Sequence, residues 1–404
     1  MNHSPSPRRR RAGLAAVAAL GLAVAGLAMP AVASGATSTA ADGADDPQRV
    51  VYVEVNNEEL ANVADYTLEG TSRPAFDMAM IFAANINYDV EKQQAYLHFN
   101  DQVTATLEQA ETQIRPVQER GTKVLLSVLG NHQGAGFANF TSRESAAAFA
   151  DQLADTVEQY GLDGIDFDDE WSGYGANGTA QPNATSFAYL LEELRDRLGP
   201  DKLITLYNIG PSYDVTDWEG TGAAQHLDYS WNPYYGAWNP PQLPGMSKDQ
   251  LGAAAVDLTR TGIDRATQLA QRTVDEGYGV YVTYNLTSAD HSGYLSPVTE
   301  ILAGRTTAYR APWYDIDVTA HATCAGGDVK LKVRIDSADD AELSAKVATS
   351  IGSRTFAGIL DGETRVAVQH AKGGATADGS LTVDVAGPDG SLELVESYAV
   401  PTCG

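Results

Sequence analysis

Five acidic side chains fall within the segment YGLDGIDFDDEW, residues 160–171, where they are interleaved with apolar residues. A β-strand directs alternate side chains to opposite faces, so Asp166, Asp168 and Glu170 share one face of a strand here. Burial and mutual repulsion raise the pKa of at least one such carboxyl group, as a general acid working near neutral pH requires. The segment therefore predicts acid chemistry on a core strand. A solvated acidic loop or a calcium loop is the alternative, but the EF-hand glycine register is missing.

The elements that would position this strand follow from apolar patterning. Eight segments have the composition of buried strands, at residues 50–55, 76–84, 123–129, 162–170, 203–209, 227–232, 254–258 and 279–286. Four segments have the periodicity of amphipathic helices, at residues 104–120, 143–160, 186–198 and 265–276. Strands alternating with helices over residues 47–313 predict an α/β fold, a (β/α)8 TIM barrel. A doubly wound open sheet is the alternative, but no GxGxxG turn follows an early strand.

The last part of the chain has a different pattern. From residue 316 to residue 404, short alternating strands are separated by Gly, Asp and Ser turns, which predicts a small β-sandwich. The two cysteines of the chain, Cys324 and Cys403, both lie in this module, and we expect them to form a disulfide. Two free buried thiols are the alternative. Attachment to carbohydrate or a cell surface and simple stabilisation are equally compatible roles for the module.

The N-terminus has the features of an export signal. Four arginines precede an apolar run and the small residues Ala31-Val32-Ala33, so we expect residues 1–33 to be a signal peptide and the protein to be secreted. A membrane anchor is the alternative, and the twin-arginine and general secretory routes both remain open. Residues 34–46 are rich in Ser, Thr, Ala and Gly and predict a disordered linker.

Composition restricts the partners. The formal net charge is −26, and no basic cluster remains after signal removal, which argues against nucleic acid or an anionic membrane as a partner. The seven histidines are scattered without an HExxH or Cys/His cluster, so we expect no metal and no other cofactor. We expect a monomer.

The carboxyl ends of the predicted strands are rich in aromatic and amide side chains. Active sites of such barrels lie at these ends, where aromatic faces can stack on sugar rings and amides can bind hydroxyl groups. The residues expected to contact a sugar on this basis are Asn85, Asn131, Tyr207, Asn208, Trp231, Asn232, Tyr234, Tyr284 and Asn285. Packing inside the barrel is an equally good interpretation for any single Tyr or Trp. Together they predict a carbohydrate cleft.

A family resemblance agrees with this chemistry. DGIDFDDE matches the DxxDxDxE signature of the family 18 glycoside hydrolases, and IFAANINYD, LYNIGP and WNPYYG look like the endo-β-N-acetylglucosaminidase H group within that family. The resemblance covers about residues 50–312. It implies hydrolysis of the β-1,4 bond between the two core N-acetylglucosamines of high-mannose or hybrid N-glycans, which leaves one sugar on the asparagine.

The resemblance also implies roles for residues. Glu170 would be the general acid and base, Asp168 would orient the substrate's N-acetyl group, and Asp166 would share or relay a proton behind Asp168. The acetamido oxygen of the substrate itself attacks the anomeric carbon in this family. Tyr207 is the first candidate for holding the acetamido group and Tyr284 the second.

The sequence departs from that of the endo-β-N-acetylglucosaminidase H group at two places. Trp171 stands where the group more often has Tyr, so we expect it to contact substrate and to alter the leaving-group subsite. The loop between residues 211 and 226 matches poorly and could change which mannose branches fit. A chitinase acting on linear chitin and a non-catalytic sugar-binding barrel are the alternative functions.

Overall fold

The computed structural model describes residues 46–214, 223–371 and 379–403. The predicted signal peptide, residues 1–33, lies outside these residues, as do residues 34–45 of the predicted linker and residues 215–222 of the divergent loop. Among the described residues, no helix combines the length and the apolarity needed to cross a bilayer.

Apolar, β-branched segments form the strands of the first part of the chain. In chain order they are β1 Gln48–Glu54, β2 Tyr66–Leu68, β3 Met78–Asp89, β4 Gln94–His98, β5 Lys123–Gly130, β6 Gly164–Asp168, β7 Leu203–Tyr207, β8 Tyr229–Trp231, β9 Leu251–Gly252, β10 Ala254–Asp257, β11 Val280–Tyr284 and β12 Thr307–Tyr309. Their runs of buried side chains are typical of parallel strands that are covered on both faces.

Nine of these strands form one parallel barrel. The order β10-β11-β1-β3-β5-β6-β7-β8-β9 is closed by the chain itself, because only Ala253 separates β9 from β10. Because β9 and β10 together occupy one strand position, the barrel has eight strand positions. The predicted (β/α)8 barrel is confirmed, and the alternative of an open doubly wound sheet is wrong. Two short strands lie outside the barrel path, since β4 forms an antiparallel hairpin with β3 and β12 pairs with β2.

The helices are α1 Asp101–Glu108, α2 Ala110–Gln113, α3 Arg115–Glu119, α4 Arg143–Tyr160, α5 Ser186–Leu198, α6 Gly210–Asp214, α7 Ile263–Glu276 and α8 Ser292–Ala303. Helix α4 shows why its bounds were predictable. The Ser142 side chain accepts the backbone N–H of Ser145 at its start, and Gly161 takes a left-handed conformation with φ 62° at its end.

The other helices differ from the prediction in informative ways. The predicted helix over residues 104–120 is three short helices, and Pro116 in the first turn of α3 lacks the N–H that a continuous helix needs. Helix α8 was not predicted, since Pro297 inside it interrupts the helical pattern of the sequence. The crossover after β8 carries a 3₁₀ turn at Lys248–Gln250 in place of an α-helix.

The strand bounds also differ. The strand predicted over residues 162–170 ends at Asp168, so Glu170 lies in the loop that follows β6. The strand predicted over residues 76–84 continues to Asp89, because the hairpin with β4 extends its pairing beyond the barrel.

A sandwich follows the barrel. Its strands are β13 Ile316–Ala325, β14 Asp328–Ser337, β15 Leu343–Thr349, β16 Gly352–Ile359, β17 Thr364–His370, β18 Ser380–Gly387 and β19 Gly390–Ser397. They form two antiparallel sheets, β13-β14-β17 and β16-β15-β18-β19, around a separate core that includes Leu331, Val333, Val347 and Val383. A disulfide joins Cys324 on β13 to Cys403 beyond the last strand.

The sandwich contacts the barrel away from the carboxyl ends of the barrel strands. Val395 on the edge strand β19 donates its N–H to Gly70 O at 2.8 Å, and its carbonyl accepts from the Arg305 guanidinium at 3.1 Å. The Trp313 indole donates to Ser72 O at 3.1 Å. Among the described residues, these contacts of the sandwich therefore lie on the segment between β2 and β3 and on Arg305 after α8, and not at the carboxyl ends of the barrel strands.

Candidate active site

Strand β6 sends its two faces into different surroundings. Ile165 and Phe167 pack into the layer between barrel and helices, where the Phe167 ring lies 4.9 Å from that of Phe137. Asp166 contacts side chains of the barrel interior instead. Every residue of β6 is buried, so the alternative of a solvated acidic loop is wrong.

Asp166 is held at the centre of the barrel by three hydroxyl groups. Thr205 donates to its Oδ1 at 2.6 Å, and Tyr52 and Ser127 each donate to its Oδ2 at 2.8 Å. Burial raises the pKa of Asp166, and these three hydrogen bonds oppose the rise because they stabilise the ionised carboxylate. Three hydrogen-bond donors therefore fix the carboxylate of Asp166 in position.

Asp168 has different surroundings. It is buried, and its Oδ1 has no hydrogen-bond partner among the described residues. Burial raises the pKa of Asp168 well above its usual range, and the nearby charges of Glu170, Asp166 and Asp169 raise it further. A buried polar atom without a partner is rare in a native protein and is costly unless a ligand satisfies it.

Glu170 follows two residues later and is only half-buried. Burial raises the pKa of its carboxyl group, which favours the protonated form that a general acid needs. The backbone at Glu170 is held by Gly130 at the end of β5, whose N–H donates to Glu170 O at 3.0 Å. A Cβ at position 130 would clash with this same carbonyl oxygen, so the close approach requires glycine.

Asp169 anchors the loops around Glu170. Its carboxylate accepts from Ser172 at 2.8 Å, from Tyr174 at 2.6 Å and from the Ser212 hydroxyl and N–H at 2.7 and 2.8 Å. Burial raises the pKa of Asp169 against these hydrogen bonds. No separate role was predicted for Asp169, but its contacts hold together the segments that follow β6 and β7.

Aromatic side chains line one side of the mouth, the opening at the carboxyl ends of the barrel strands. The Tyr207 hydroxyl lies 2.9 Å from that of Tyr235, and the ring of Tyr235 stacks on Tyr284 with centroids 5.0 Å apart. Phe82 extends this wall, with its ring 6.0 Å from Tyr284 and 5.8 Å from Tyr52. The charges of Asp168 and Glu170 contribute to the raised pKa of Tyr235, which places this residue near both acids. Tyr235 therefore links Tyr207 and Tyr284, the two candidates predicted for holding the acetamido group.

Glu54 is a site residue that the sequence analysis missed. Its Oε2 accepts from the Tyr284 hydroxyl at 3.3 Å and from Asn285 Nδ2 at 3.2 Å, and its N–H donates to Asn285 Oδ1 at 3.0 Å. Glu54 ends β1, so the strand-end rule that identified Tyr284 could also have identified it. Phe82 was likewise absent from the expected sugar contacts, whereas Tyr235 belongs to the aromatic strand-end segment after β8 that predicted the cleft.

Three of the amide side chains predicted to contact a sugar belong to residues that form hydrogen bonds within the protein. Asn131 donates to Asn87 Oδ1 at 2.9 Å, and the Asn85 amide lies 3.3 Å from the carbonyls of Leu129 and Gly130, so these groups tie the ends of β3 and β5 together. Asn208 is buried at the end of β7, with its N–H bound to Trp231 O.

Trp231 and Asn232 are not brought to the mouth. Trp231 is fully buried in the barrel, where its indole donates to the Tyr52 hydroxyl at 2.9 Å. Asn232 is also fully buried, and its amide holds the following loop by donating to Ala237 O and Ala253 O. Both are structural residues because their polar groups are used inside the protein. Tyr234, in contrast, is 53% exposed.

The arrangement combines one half-buried acid, one deeply buried acid with an unused oxygen, and an aromatic wall. Within residues 46–214, 223–371 and 379–403, no three His, Cys, Asp or Glu side chains are grouped so that they could hold a metal ion. Glu170 can donate a proton at the surface of the mouth, while Asp168 can accept a hydrogen bond from a group that enters it.

Comparisons with known proteins agree with this chemistry. Residues 48–256 match the model of glycosyl hydrolases family 18. An endo-β-N-acetylglucosaminidase from a Flavobacterium species is 51% identical over 263 residues, covering 65% of this chain and 82% of that protein. Endo-β-N-acetylglucosaminidase F1 from Elizabethkingia meningoseptica is 32% identical over 238 residues, covering 58% of this chain and 69% of that protein.

Two solved structures of Bacteroides thetaiotaomicron EndoBT-3987 are also similar. The complex with a Man5GlcNAc product superposes with a TM-score of 0.59 at 30% identity, and the match covers 68% of this chain and 64% of the other. The complex with a Man9GlcNAc2Asn substrate gives the same TM-score at 29% identity and covers 69% of that chain. The similarity therefore spans about two thirds of each chain.

Proposed function

Starting from the fact that this chain belongs to glycosyl hydrolases family 18, we propose that it cleaves the β-1,4 bond within the N,N′-diacetylchitobiose core of high-mannose and hybrid N-glycans. The family resemblance drawn from the sequence is confirmed, and the chain is a glycoside hydrolase. One N-acetylglucosamine remains on the asparagine after cleavage. The names of the relatives support this choice, since both are endo-β-N-acetylglucosaminidases, and one related structure holds a Man9GlcNAc2Asn substrate.

One observation carries the mechanism. The buried Asp168 Oδ1 has no partner among the described residues, and it lies two residues before the half-buried Glu170. An acetamido N–H of the substrate would satisfy this oxygen. The same hydrogen bond would turn the acetamido carbonyl oxygen towards the anomeric carbon, so the substrate supplies the nucleophile and the protein needs no second one.

The reaction then proceeds in two steps. In the first, the carboxylic proton of Glu170 passes to the glycosidic oxygen, the acetamido oxygen bonds to the anomeric carbon, and the bond to the leaving sugar breaks. In the second, Glu170 takes a proton from water as that water attacks the anomeric carbon and opens the oxazolinium ring. The positive charge of the intermediate favours ionisation of Asp168 against its raised pKa, and the resulting carboxylate stabilises the intermediate in return.

Asp166 and Tyr207 support this pair. Asp166, held by three hydroxyl groups, would share or relay a proton behind Asp168, and its charge contributes, after burial and the charge of Glu170, to the raised pKa of Asp168. In this proposal the Tyr207 hydroxyl, which lies 2.9 Å from that of Tyr235, donates to the acetamido oxygen of the substrate. Asn85, Asn131, Asn208, Tyr234, Tyr284, Asn285 and Trp171 remain candidates for contacts with the rest of the glycan.

The protein acts as a secreted monomer in this proposal. The export pattern of residues 1–33 and the disulfide between Cys324 and Cys403 both fit an extracellular location, since disulfides persist in oxidising compartments. Detection of the protein in the culture medium of its host, with an N-terminus beyond residue 33, tests the location. Gel filtration with light scattering tests the oligomeric state.

Product analysis tests the activity. A glycoprotein carrying both high-mannose and complex chains is incubated with the purified protein, and its glycopeptides are weighed by mass spectrometry. We expect each high-mannose site to retain one N-acetylglucosamine while complex chains stay intact. A parallel incubation with colloidal chitin addresses the alternative, since soluble chitin oligomers without glycoprotein cleavage would identify a chitinase instead.

A further inference from the structure

Trp171 directly follows Glu170, and its large indole is 59% exposed. We propose that Trp171, with the His132 ring beside it, is the platform on which the leaving-group sugar rests, and that it determines which leaving groups are accepted. The inference depends on the proposed function, because that function defines the leaving group as the N-acetylglucosamine that stays on asparagine.

The backbone of Trp171 is fixed from both sides. Three hydrogen bonds run between the segments that follow β5 and β6, from Gly130 N to Glu170 O, from His132 N to Trp171 O and from Gly134 N to Ser172 O, at 3.0, 2.6 and 2.8 Å. After Trp171, the same segment is held by Asp169, whose carboxylate accepts hydrogen bonds from the Ser172 and Tyr174 hydroxyls. The acid and the tryptophan therefore form one rigid unit.

Both residues of the platform have an unusual conformation. Trp171 has φ 59° and His132 has φ 54°, in the left-handed region that side chains with a Cβ rarely adopt. Backbone of this kind costs free energy and is retained where a function requires the side-chain position that it gives. The two rings lie 5.5 Å apart and are tilted by 53°, so they form a shallow angled surface.

The chemistry of the acid identifies the sugar that this surface would meet. Glu170 gives its proton to the oxygen that departs with the leaving group, and Trp171 is the exposed aromatic residue that directly follows it at the same end of the barrel. An indole face stacks on the C–H face of a pyranose ring. A rigid platform of this kind aligns the bond to be broken with the acid.

A comparison of two substrates distinguishes binding of the leaving-group sugar by Trp171 from a general effect of Trp171 on Glu170. A high-mannose glycopeptide carries the leaving sugar, whereas the oxazoline of the same oligosaccharide is hydrolysed by water without any leaving sugar. We expect Trp171→Ala to lower kcat/KM for the glycopeptide by roughly tenfold relative to its value for the oxazoline. We expect Trp171→Tyr to restore most of that ratio.

Trp171→Gly provides the matched control for strain. Glycine accepts φ 59° without cost, so this variant should unfold at a higher temperature than Trp171→Ala while showing the same loss in the rate ratio. An equal fall of both rates in Trp171→Ala would show that Trp171 only positions Glu170, and unchanged rates would show that it has no role. Either result overturns the platform. A wild-type protein that hydrolyses the oxazoline but no N-glycan would instead contradict the proposed function.

Discussion

Asp166 and Asp168 lie two residues apart on β6, yet their surroundings are opposite. Asp166 accepts three hydroxyl hydrogen bonds, whereas Asp168 Oδ1 is buried with no partner among the described residues. The first arrangement stabilises the fold and the second does not. The protein therefore satisfies the carboxylate of Asp166 itself, whereas it leaves one oxygen of Asp168 for a group of the substrate.

Replacing Glu170 by Gln should lower kcat for glycopeptide hydrolysis by roughly 10²–10⁴-fold, because the amide cannot give up a proton. The side chain keeps its shape, so circular dichroism and the melting temperature should match those of the wild type. Activity within a few-fold of the wild type would show that another group is the acid.

The wild-type pH profile should follow the same group. Burial raises the pKa of Glu170, and the acid must be protonated to act, so activity is present below this raised pKa and falls as pH rises through it. We expect kcat/KM to decline on the alkaline side. A rate that stays constant into alkaline solution would contradict a carboxyl general acid.

Asp168→Asn should stabilise the protein while impairing catalysis. The pKa of Asp168 is raised in the folded state above an unfolded value of about 3.9, so the folded protein binds more protons and loses stability as pH rises between the two values. The variant lacks this loss. Its melting temperature should exceed that of the wild type by an amount that is smallest near pH 4 and grows towards neutral pH. A difference independent of pH would argue against a strained carboxyl.

Tyr52→Phe should destabilise the barrel centre. The change removes one donor from Asp166 and the acceptor of the Trp231 indole, which leaves two buried polar groups short of a partner. We expect a loss of about 1–3 kcal/mol in the free energy of unfolding, measured with urea. Val63→Ala, at another buried position of the barrel, is a comparison for the loss of ordinary core contacts. Unchanged stability in Tyr52→Phe would show that this hydrogen-bond network contributes nothing.

Removing the disulfide should affect the sandwich alone. Replacing Cys324 and Cys403 together by Ser opens a link between residues 79 positions apart, which costs about 4 kcal/mol in the chain-entropy account. The described contacts of the sandwich lie away from the carboxyl ends of the barrel strands, so glycopeptide hydrolysis at low temperature should keep the wild-type rate. A large fall in kcat without unfolding would show that the sandwich acts on the mouth.

The acid pair and the barrel could be predicted because their signals are local. The alternation of Asp166 and Asp168 with Ile165 and Phe167 fixes which side chains share a face, and the apolar strands recur along the chain. The contacts of Glu54 could not be predicted in the same way, since it meets Asn285 across 231 positions. Trp231 was misassigned because an aromatic side chain at a strand end can line the mouth or pack inside the barrel. The indole of Trp231 packs inside, where it donates a hydrogen bond to Tyr52, 179 positions away in the sequence.

The most direct test of the central claim, hydrolysis by Glu170 and Asp168 with the substrate's own acetamido group as nucleophile, is the anomeric form of the first product. Proton NMR recorded in the first minutes of glycopeptide cleavage distinguishes the α and β hemiacetals before they interconvert. Two successive displacements at the anomeric carbon predict that the released oligosaccharide appears first as the β-anomer. Initial release of the α-anomer would mean a single direct attack by water and would contradict the account.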